Sequence, residues 1–294
     1  MNKYLTLVFS SYQSQHLLIK VIKKLPKNYR IIVIENSLDQ KIKASLEKRF
    51  RNVEVIIPKF NQGLARSYNM GIERSKTQYV FLNNADLEIN NSAIKKLLLC
   101  AQKIKRLGII SPTYVNEKIY KNYEIYDLKK KINSKIHKKF GIIEVDLIDN
   151  CFLIDKKTIK KNYFDKKYFL FFETFDFCLN LRKVGLKMYV CNKIKFNHLG
   201  SKSVHSKYDR IVELTRAFHF NWSKFYYYKK NYGYLLAFRK IIPNIVKAIK
   251  KILLSIITFN KTNLIFGLIE LYGIICSILN LKSFYRPKNK FISL

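Results

Sequence analysis

The sequence predicts an α/β fold: a mostly parallel sheet with helices on both faces, followed by a basic, amphipathic helical extension. Three observations predict it. The first hundred residues alternate short apolar runs with segments of helical spacing. The strand-like runs are continuously apolar, as strands buried on both faces are. From about residue 213 the texture becomes aromatic and basic.

In order, "YLTLVF" (4–9), "RIIVIEN" (30–36), "VEVIIP" (53–58) and "YVFLNN" (79–84) read as strands. Between and after them, "HLLIKVIKKL" (16–25), "QKIKASLEKRF" (40–50), "GLARSYNMGIERS" (63–75) and "NSAIKKLLLCAQKI" (91–104) carry helical spacing. Such alternation implies βαβ units, and right-handed crossovers then give a Rossmann-like layout. Sheets of this kind bind ligands at the carboxyl ends of their strands, and Asp86 follows such an end. No glycine-rich phosphate loop follows the first strand, because "FSSYQSQ" (9–15) contains no glycine. Dinucleotide binding and a P-loop are therefore disfavoured. A metal held by a carboxylate is the natural substitute for handling phosphate.

The length of 294 residues suits one large domain, or one domain with an appendage. Five cysteines show no paired spacing, which argues against a zinc knuckle or disulfide scaffold and fits a reducing compartment. The start "MNKYLTLVFSSYQ" lacks a signal-peptide layout. The formal charge of +36 has three readings. One is nucleic-acid binding through counterion release. Another is attraction to an anionic membrane. The third is a composition rich in Lys, Asn, Ile, Tyr and Phe, as A/T-rich codons would give. No nucleic-acid-binding motif accompanies the charge, and the lysines are spread throughout, so no nucleic-acid partner is expected.

Four motifs carry candidate chemistry. Glu35 and Asn36, in "VIENSLD", sit where a nucleoside base or ribose can be gripped; they also suit a polar strand-end cap. In "NQGLARSYNMGI" (61–72), Gly63 permits a tight turn into a helix, and Ala65, Asn69 and Ile72 share one face. A buried Asn69 amide must then pair with backbone or with a ligand. In "NNADLEI", Asn84 and Asp86 stand two apart and point the same way if the segment is extended, so that Mg2+ or Mn2+ can bridge them to a diphosphate. A simple Asn/Asp turn is the competing reading. Finally, Glu173 and Asp176 stand one helical turn apart behind the aromatic run "YFLFF". There a carboxylate can acquire the raised pKa of a general base, or the pair can decorate a helix N-terminus. His198, before a Gly-Ser loop, is a further candidate metal ligand.

Together these motifs resemble the family 2 glycosyltransferases with the GT-A fold, particularly their rhamnosyltransferase-like branch. The resemblance covers about residues 3–206 and rests on several stretches in order. They are Glu35-Asn36-Ser37, then Asn61, Gly63, Asn69, Gly71 and Ile72, then Asn84-Ala85-Asp86, then "FDKKYFLFFETFDFCLNLR", and last His198, Gly200 and Ser203 in "HLGSKS". It implies a catalytic domain over 1–212, with a nucleotide-sugar part to about 110 and an acceptor part beyond, and a membrane-associating tail over 213–294. It also implies inverting transfer of a hexosyl or deoxyhexosyl group. A nucleotide-sugar donor would lie near Ser10, Ser11, Glu35 and Asn61, and Asp86 with His198 would hold Mg2+ or Mn2+. Glu173 or Asp176 would be the general base, and "GSKSVHSKYD" a loop that closes over the donor. The chain departs from the family in three places. Asn84 stands for the first acid of an Asp-x-Asp motif, Asn150 for a glycine of the acceptor loop, and Thr174 for the acid often taken as the base. The last makes a non-catalytic nucleotide-sugar or glycan-binding relative the alternative.

In the tail, "IIPNIVKAIKKILLSIITF" (241–259) places Ile242, Ile245, Val246, Ile249, Leu253 and Ile256 on one face and Lys247, Lys250 and Lys251 towards the other, with Pro243 expected near the helix start. "LIFGLIELYGIICSIL" (264–279) contains Glu270. Both runs fall short of the roughly 20 apolar residues that span a bilayer. Basic amphipathic helices lie in the interface. The expectation is therefore a cytoplasmic protein, peripheral on the inner face of the cell membrane, that meets an anionic surface and a glycan or lipid-linked acceptor of cell-envelope polysaccharide synthesis. A helical subdomain packed on the core is the competing reading.

Overall fold

The computed structural model describes residues 4–88, 90–115, 121–126, 141–149, 151–159, 163–198 and 208–286. Asn150, Gly200, Ser203 and the "GSKSVHSKYD" loop up to residue 207 lie outside the described residues. The chain divides into two compact units. The first takes in Met1–Gln62, Arg66–Phe164 and Thr174–His205; the second takes in Gly63–Ala65, Asp165–Glu173 and Ser206–Leu294.

Among the described residues, the first unit is built on a nine-stranded sheet of order β3 (Val53–Ile56), β2 (Arg30–Glu35), β1 (Leu5–Ser11), β4 (Tyr79–Asn84), β10 (Phe152–Asp155), β6 (Leu107–Tyr114), β11 (Lys187–His198) and β5 (Leu87–Glu88), with β8 (Ile142–Val145) paired to β11. The parallel block is β1, β2, β3 and β4. Beyond it come β10, β6 and β11. β6 and β11 are parallel, whereas β5, β8 and β10 run against their neighbours. A small ladder joins β7 (Tyr123–Glu124) to β9 (Leu147–Ile148).

One face of the sheet carries Leu5, Leu7, Phe9, Ile31, Val33 and Phe81. It is covered by Leu18 and Ile22 of α1 (Gln15–Lys23), Ile42 and Leu46 of α2 (Gln40–Arg49), and Ile94 and Leu97 of α4 (Asn91–Gln102). Asp39 caps α2 by accepting from Lys41 N at 2.8 Å, and Asn90 caps α4 by accepting from Ser92 N at 2.7 Å. On the opposite face, α3 (Gly63–Arg74) packs so closely that a Cβ at Gly71 would lie 2.2 Å from Val8 Cγ1. Lys156, the first residue of α5 (Lys156–Ile159), donates to the Ile72 and Ser75 carbonyls at the C-terminal end of α3. α6 (Glu173–Lys183) contributes Phe177, which packs on Phe152 and Phe164.

The second unit holds α7 (Asp209–Tyr232), α8 (Tyr234–Ile257) and α9 (Lys261–Ile278), packed on one another. Phe225, Ala237, Ile241 and Ile274 form one cluster; Phe218, Trp222 and Cys276 form another. Gly233, at φ 89°, separates α7 from α8 in a backbone conformation that side chains rarely adopt. Pro243 is not at a helix start: α8 begins at Tyr234 and runs through it. Packing of Ala237 and Ile241 against Phe225 fixes the earlier turns and offsets the backbone bond that proline removes. Next to that break, Asn244 accepts from Lys224 Nζ at 2.7 Å and donates to Asn221 Oδ1 at 2.8 Å.

The mid-run Glu270 of α9 is paired with Lys251 of α8. α9 differs from expectation in that its 18 residues, of mean hydropathy 1.4, are long and apolar enough to cross a membrane by length and composition. A small-residue notch nevertheless holds it in the bundle: a Cβ at Gly273 would lie 2.4 Å from the Phe218 carbonyl oxygen, and Ser277 Oγ donates to Trp222 O at 2.9 Å.

The segment Asp165–Glu173 belongs with these helices. Asp165 accepts from Tyr226 OH at 3.0 Å and pairs with Lys230 at 2.7 Å, and the Leu170 carbonyl accepts from Ser223 Oγ at 2.9 Å. Its aromatic residues line α7: Phe169 lies 4.4 Å from the His219 ring, and Phe171 and Phe172 pack on Phe220.

Candidate active site

The carboxyl ends of the parallel strands gather most of the expected residues. Register places Ser10 of β1 beside Asn84 of β4, and Ser11 beside Glu35 of β2. Ser10, Asn61 and Asn84 are partly exposed. The others are buried and brace the strand ends. Glu35 is fully buried, and its carboxylate accepts from Ser11 Oγ at 2.6 Å, Gln13 N at 3.2 Å and Ser37 N at 2.9 Å. Asn36 exchanges hydrogen bonds with Ser67 and accepts from Gln62 N at 3.0 Å, tying β2 to the approach of α3. These contacts fix the shape of the loops around any ligand.

The pairing of Asn69, open from sequence, is with backbone. Its Nδ2 donates to Phe164 O at 2.8 Å, and its Oδ1 accepts from Phe164 N at 3.0 Å. The amide thus imitates one rung of a sheet ladder and pins the chain 95 residues onward. Gly63 opens α3 at φ 70°, and a Cβ there would lie 2.2 Å from the Phe169 carbonyl oxygen. Both the conformation and the space require glycine. Tyr68, which local pattern did not single out, donates from its hydroxyl to Asn84 Oδ1 at 2.9 Å and packs on Phe164. It fixes the Asn84 side chain. The signal lay four residues before Ile72 on the α3 face, but only tertiary contact with β4 gives it a role.

Asp86 does not continue the extended strand. β4 ends at Asn84, and Ala85-Asp86 form a turn into β5. The extended alternation that would aim Asn84 and Asp86 the same way is therefore absent. The turn reverses the chain so that β5 can pair with β11. This pairing sets His198 opposite Leu87, the residue after Asp86. Asp86 is buried, and its charge helps to push the Cys151 thiol up, second to burial itself. Among the described residues no group of three or more His, Cys, Asp and Glu converges to hold a metal alone. The Asp86 carboxylate, in the turn that follows β4, is the kind of hard oxygen donor that fits Mg2+ or Mn2+, cations that draw their remaining ligands from substrate phosphates.

Next to Asn84, Asn83 is fully buried, and neither of its side-chain amide atoms has a hydrogen-bond partner among the described residues. Such a group costs about 1–3 kcal/mol. Asn83→Leu, similar in volume and apolar, is expected to raise unfolding stability by about 1 kcal/mol. The gain would appear as a higher urea midpoint at unchanged slope; a lower midpoint would show that the amide is satisfied in solution.

α6 carries Glu173 at its first position and Asp176 one turn on. Asp176 is fully buried and accepts from Asn180 Nδ2 at 3.2 Å within the helix. Thr174 is also buried. Phe171 and Phe172, just before Glu173, have φ of 68° and 62°. Two consecutive bulky residues in the left-handed region store strain that the aromatic packing on α7 must hold.

No curated protein matches the chain. Among solved structures it is similar to GalNAc-T7 with UDP, GalNAc and Mn2+, at 15% identity and TM-score 0.57, over 78% of this chain and 51% of that one. It thus spans about half the length of that relative. It is also similar to the mannosyltransferase PcManGT from Pyrobaculum calidifontis in complex with GDP-Man and Mn2+, at 8% identity and TM-score 0.55, over 94% and 87% of the two chains. Residues 1–349 of S. aureus TarS give 13% identity and TM-score 0.50 over 94% and 92%. These identities show the fold, which is the GT-A fold. The sequence itself matches Glycosyl transferase family 2 over residues 6–163, more than half of its length, and the chain belongs to that family.

Proposed function

We propose that the protein is an inverting, nucleotide-sugar-dependent glycosyltransferase of the rhamnosyltransferase-like branch. It moves a hexosyl or deoxyhexosyl group to a glycan or lipid-linked acceptor of cell-envelope polysaccharide synthesis, in the cytoplasm at the inner face of the membrane. The observation that carries the reading is the strand-end register: Ser10 beside Asn84, with Asp86 in the next turn and His198 opposite Leu87. GalNAc-T7 and PcManGT, with the same fold, are seen with a nucleotide or nucleotide-sugar and Mn2+. Five free, buried cysteines suit a reducing compartment.

In this reading Ser10, Asn61 and Asn84 contact the donor, and Glu35, Asn36 and Asn69 hold the loops that surround it. Asp86, with His198, holds Mg2+ or Mn2+. When bound, the cation offsets the charge that builds on the diphosphate leaving group. Glu173 takes the proton from the acceptor hydroxyl as its oxygen attacks the anomeric carbon, and a single displacement inverts that carbon. Asp176 is the second candidate for that proton.

The test is a thermal-shift series with nucleoside diphosphates and nucleotide-sugars, each with Mn2+ or with EDTA. A ligand at a hundred times its Kd stabilises the fold by about 2.7 kcal/mol. A clear metal-dependent rise with one nucleotide family is expected. Absence of any rise would favour a glycan-binding relative without a donor site, for which the buried Thr174 would be the chemical reason.

A further inference from the structure

α8 presents a face that the bundle leaves uncovered. Phe238, Ile242, Val246, Ile249, Leu253 and Ile256 recur at intervals of four, four, three, four and three, and all are exposed. That spacing is one stripe of a helix, about 27 Å long at 1.5 Å per residue. Ile257 and Phe259, where α8 turns towards α9, extend it at 73% and 89% exposure. A different side of the same helix is buried through Ala237, Ile241, Ala248 and Ser255. The stripe is therefore not the packing face. Arg239 and Lys250 flank it and Lys247 lies further round the helix; all three are exposed and make no ion pair among the described residues. From Gly233 to Arg286 there are eight Lys and Arg against one acid, Glu270, and that acid is paired with Lys251.

We infer that this stripe is seated in the interfacial layer of an anionic bilayer, with α8 lying in the membrane plane and Arg239, Lys247 and Lys250 at the headgroups. Charge selects this occupant. Intervals of three and four would equally suit a second copy of the helix. Two chains of formal charge +36, however, would bring like-charged edges together. Acidic headgroups beside an apolar layer match both components of the stripe, whereas nucleic acid would leave its apolar part in water. α9 is held to α7 by the Gly273 notch and the Ser277 hydrogen bond, so the bundle docks as a whole. This inference rests on the membrane placement proposed above and names the surface that makes it.

The test is vesicle sedimentation of the full chain with phosphatidylcholine alone and with phosphatidylcholine containing phosphatidylglycerol. The wild type, I249D/L253D and K247A/K250A are compared, with the thermal midpoint and nucleotide stabilisation of each as controls. Every substituted position is exposed, so the midpoints are expected to stay together. Wild type should sediment only with the anionic vesicles. Each double variant should lose at least about tenfold in partitioning, and raised salt should weaken binding. Equal binding to both vesicle types that survives salt and alkaline extraction in all three proteins would overturn the inference in favour of a crossing α9. No vesicle binding, with a dimer that I249D/L253D converts to monomer, would overturn it in favour of a second copy. Nucleotide stabilisation reads the donor site separately, so loss of docking leaves that reading standing.

Discussion

Replacing Asp86 with alanine is expected to lower turnover by about a thousandfold or more, because stabilisation of a diphosphate leaving group is worth several kcal/mol. The turn that carries Asp86 is fixed on both sides, by β4 within the parallel block and by the β5–β11 pairing. Removal of the carboxylate should therefore leave the backbone in place. Asp86→Asn separates charge from shape. It keeps the volume and hydrogen-bonding reach and loses the charge, and is expected to fall nearly as far as alanine. Turnover is measured with Mn2+ and Mg2+, alongside the metal-dependent rise in melting temperature with the nucleotide. If the alanine variant keeps its turnover and its metal-dependent rise, Asp86 has no part in holding the cation, and Asn84 and His198 would have to be tested in its place.

Glu173→Gln is expected to lower kcat by about 10²–10⁴-fold, the usual contribution of a positioned general base, with nucleotide stabilisation retained. Two features favour Glu173 over its neighbours. Thr174 has a hydroxyl that does not ionise near neutral pH, and Asp176 has an oxygen engaged by Asn180, whereas Glu173, buried like both of them, opens the helix. Glu173 follows the strained pair Phe171-Phe172, whose conformation persists only while the aromatic packing enforces it. Asp176→Asn is expected to reduce activity modestly and to cost stability through its bond to Asn180. A kcat loss of the larger size in Asp176→Asn, with Glu173→Gln near wild type, would transfer the base to Asp176. Little loss in either would place the base on another residue, whereas nucleotide binding with no turnover in the wild type would indicate that this chain binds its ligands without turning them over.

Local periodicity made the parallel block legible. β4 was read to the residue, and the other early elements to within a few residues, because each run is either continuously apolar or spaced for one helical face. Contacts distant in sequence were not legible. The partner of Asn69 lies at Phe164, and the Glu35 carboxylate is engaged by donors from two different loops. Nothing in the spacing of either residue reports this. The turn at Ala85-Asp86 was one of two readings, and β5 pairing with β11, on the far side of the sheet, decided between them. Pro243 misled for the same reason: its local preference is for a helix start, but packing on Phe225 set the start at Tyr234.

The anchoring of Asp165–Glu173 on α7 bears on how this protein can be recombined. The helical extension is not a block that a single crossover near residue 208 could exchange. Such a chimera would part Asp165 from Tyr226 and Lys230, and Leu170 from Ser223, and would remove the Phe220 ring on which Phe171 and Phe172 lean. The heritable module is discontinuous, comprising Gly63–Ala65, Asp165–Glu173 and Ser206–Leu294. Any helices grafted from another protein must arrive with their own version of the segment that ends in Glu173. The residue proposed to deprotonate the acceptor would then descend with the tail rather than with the sheet.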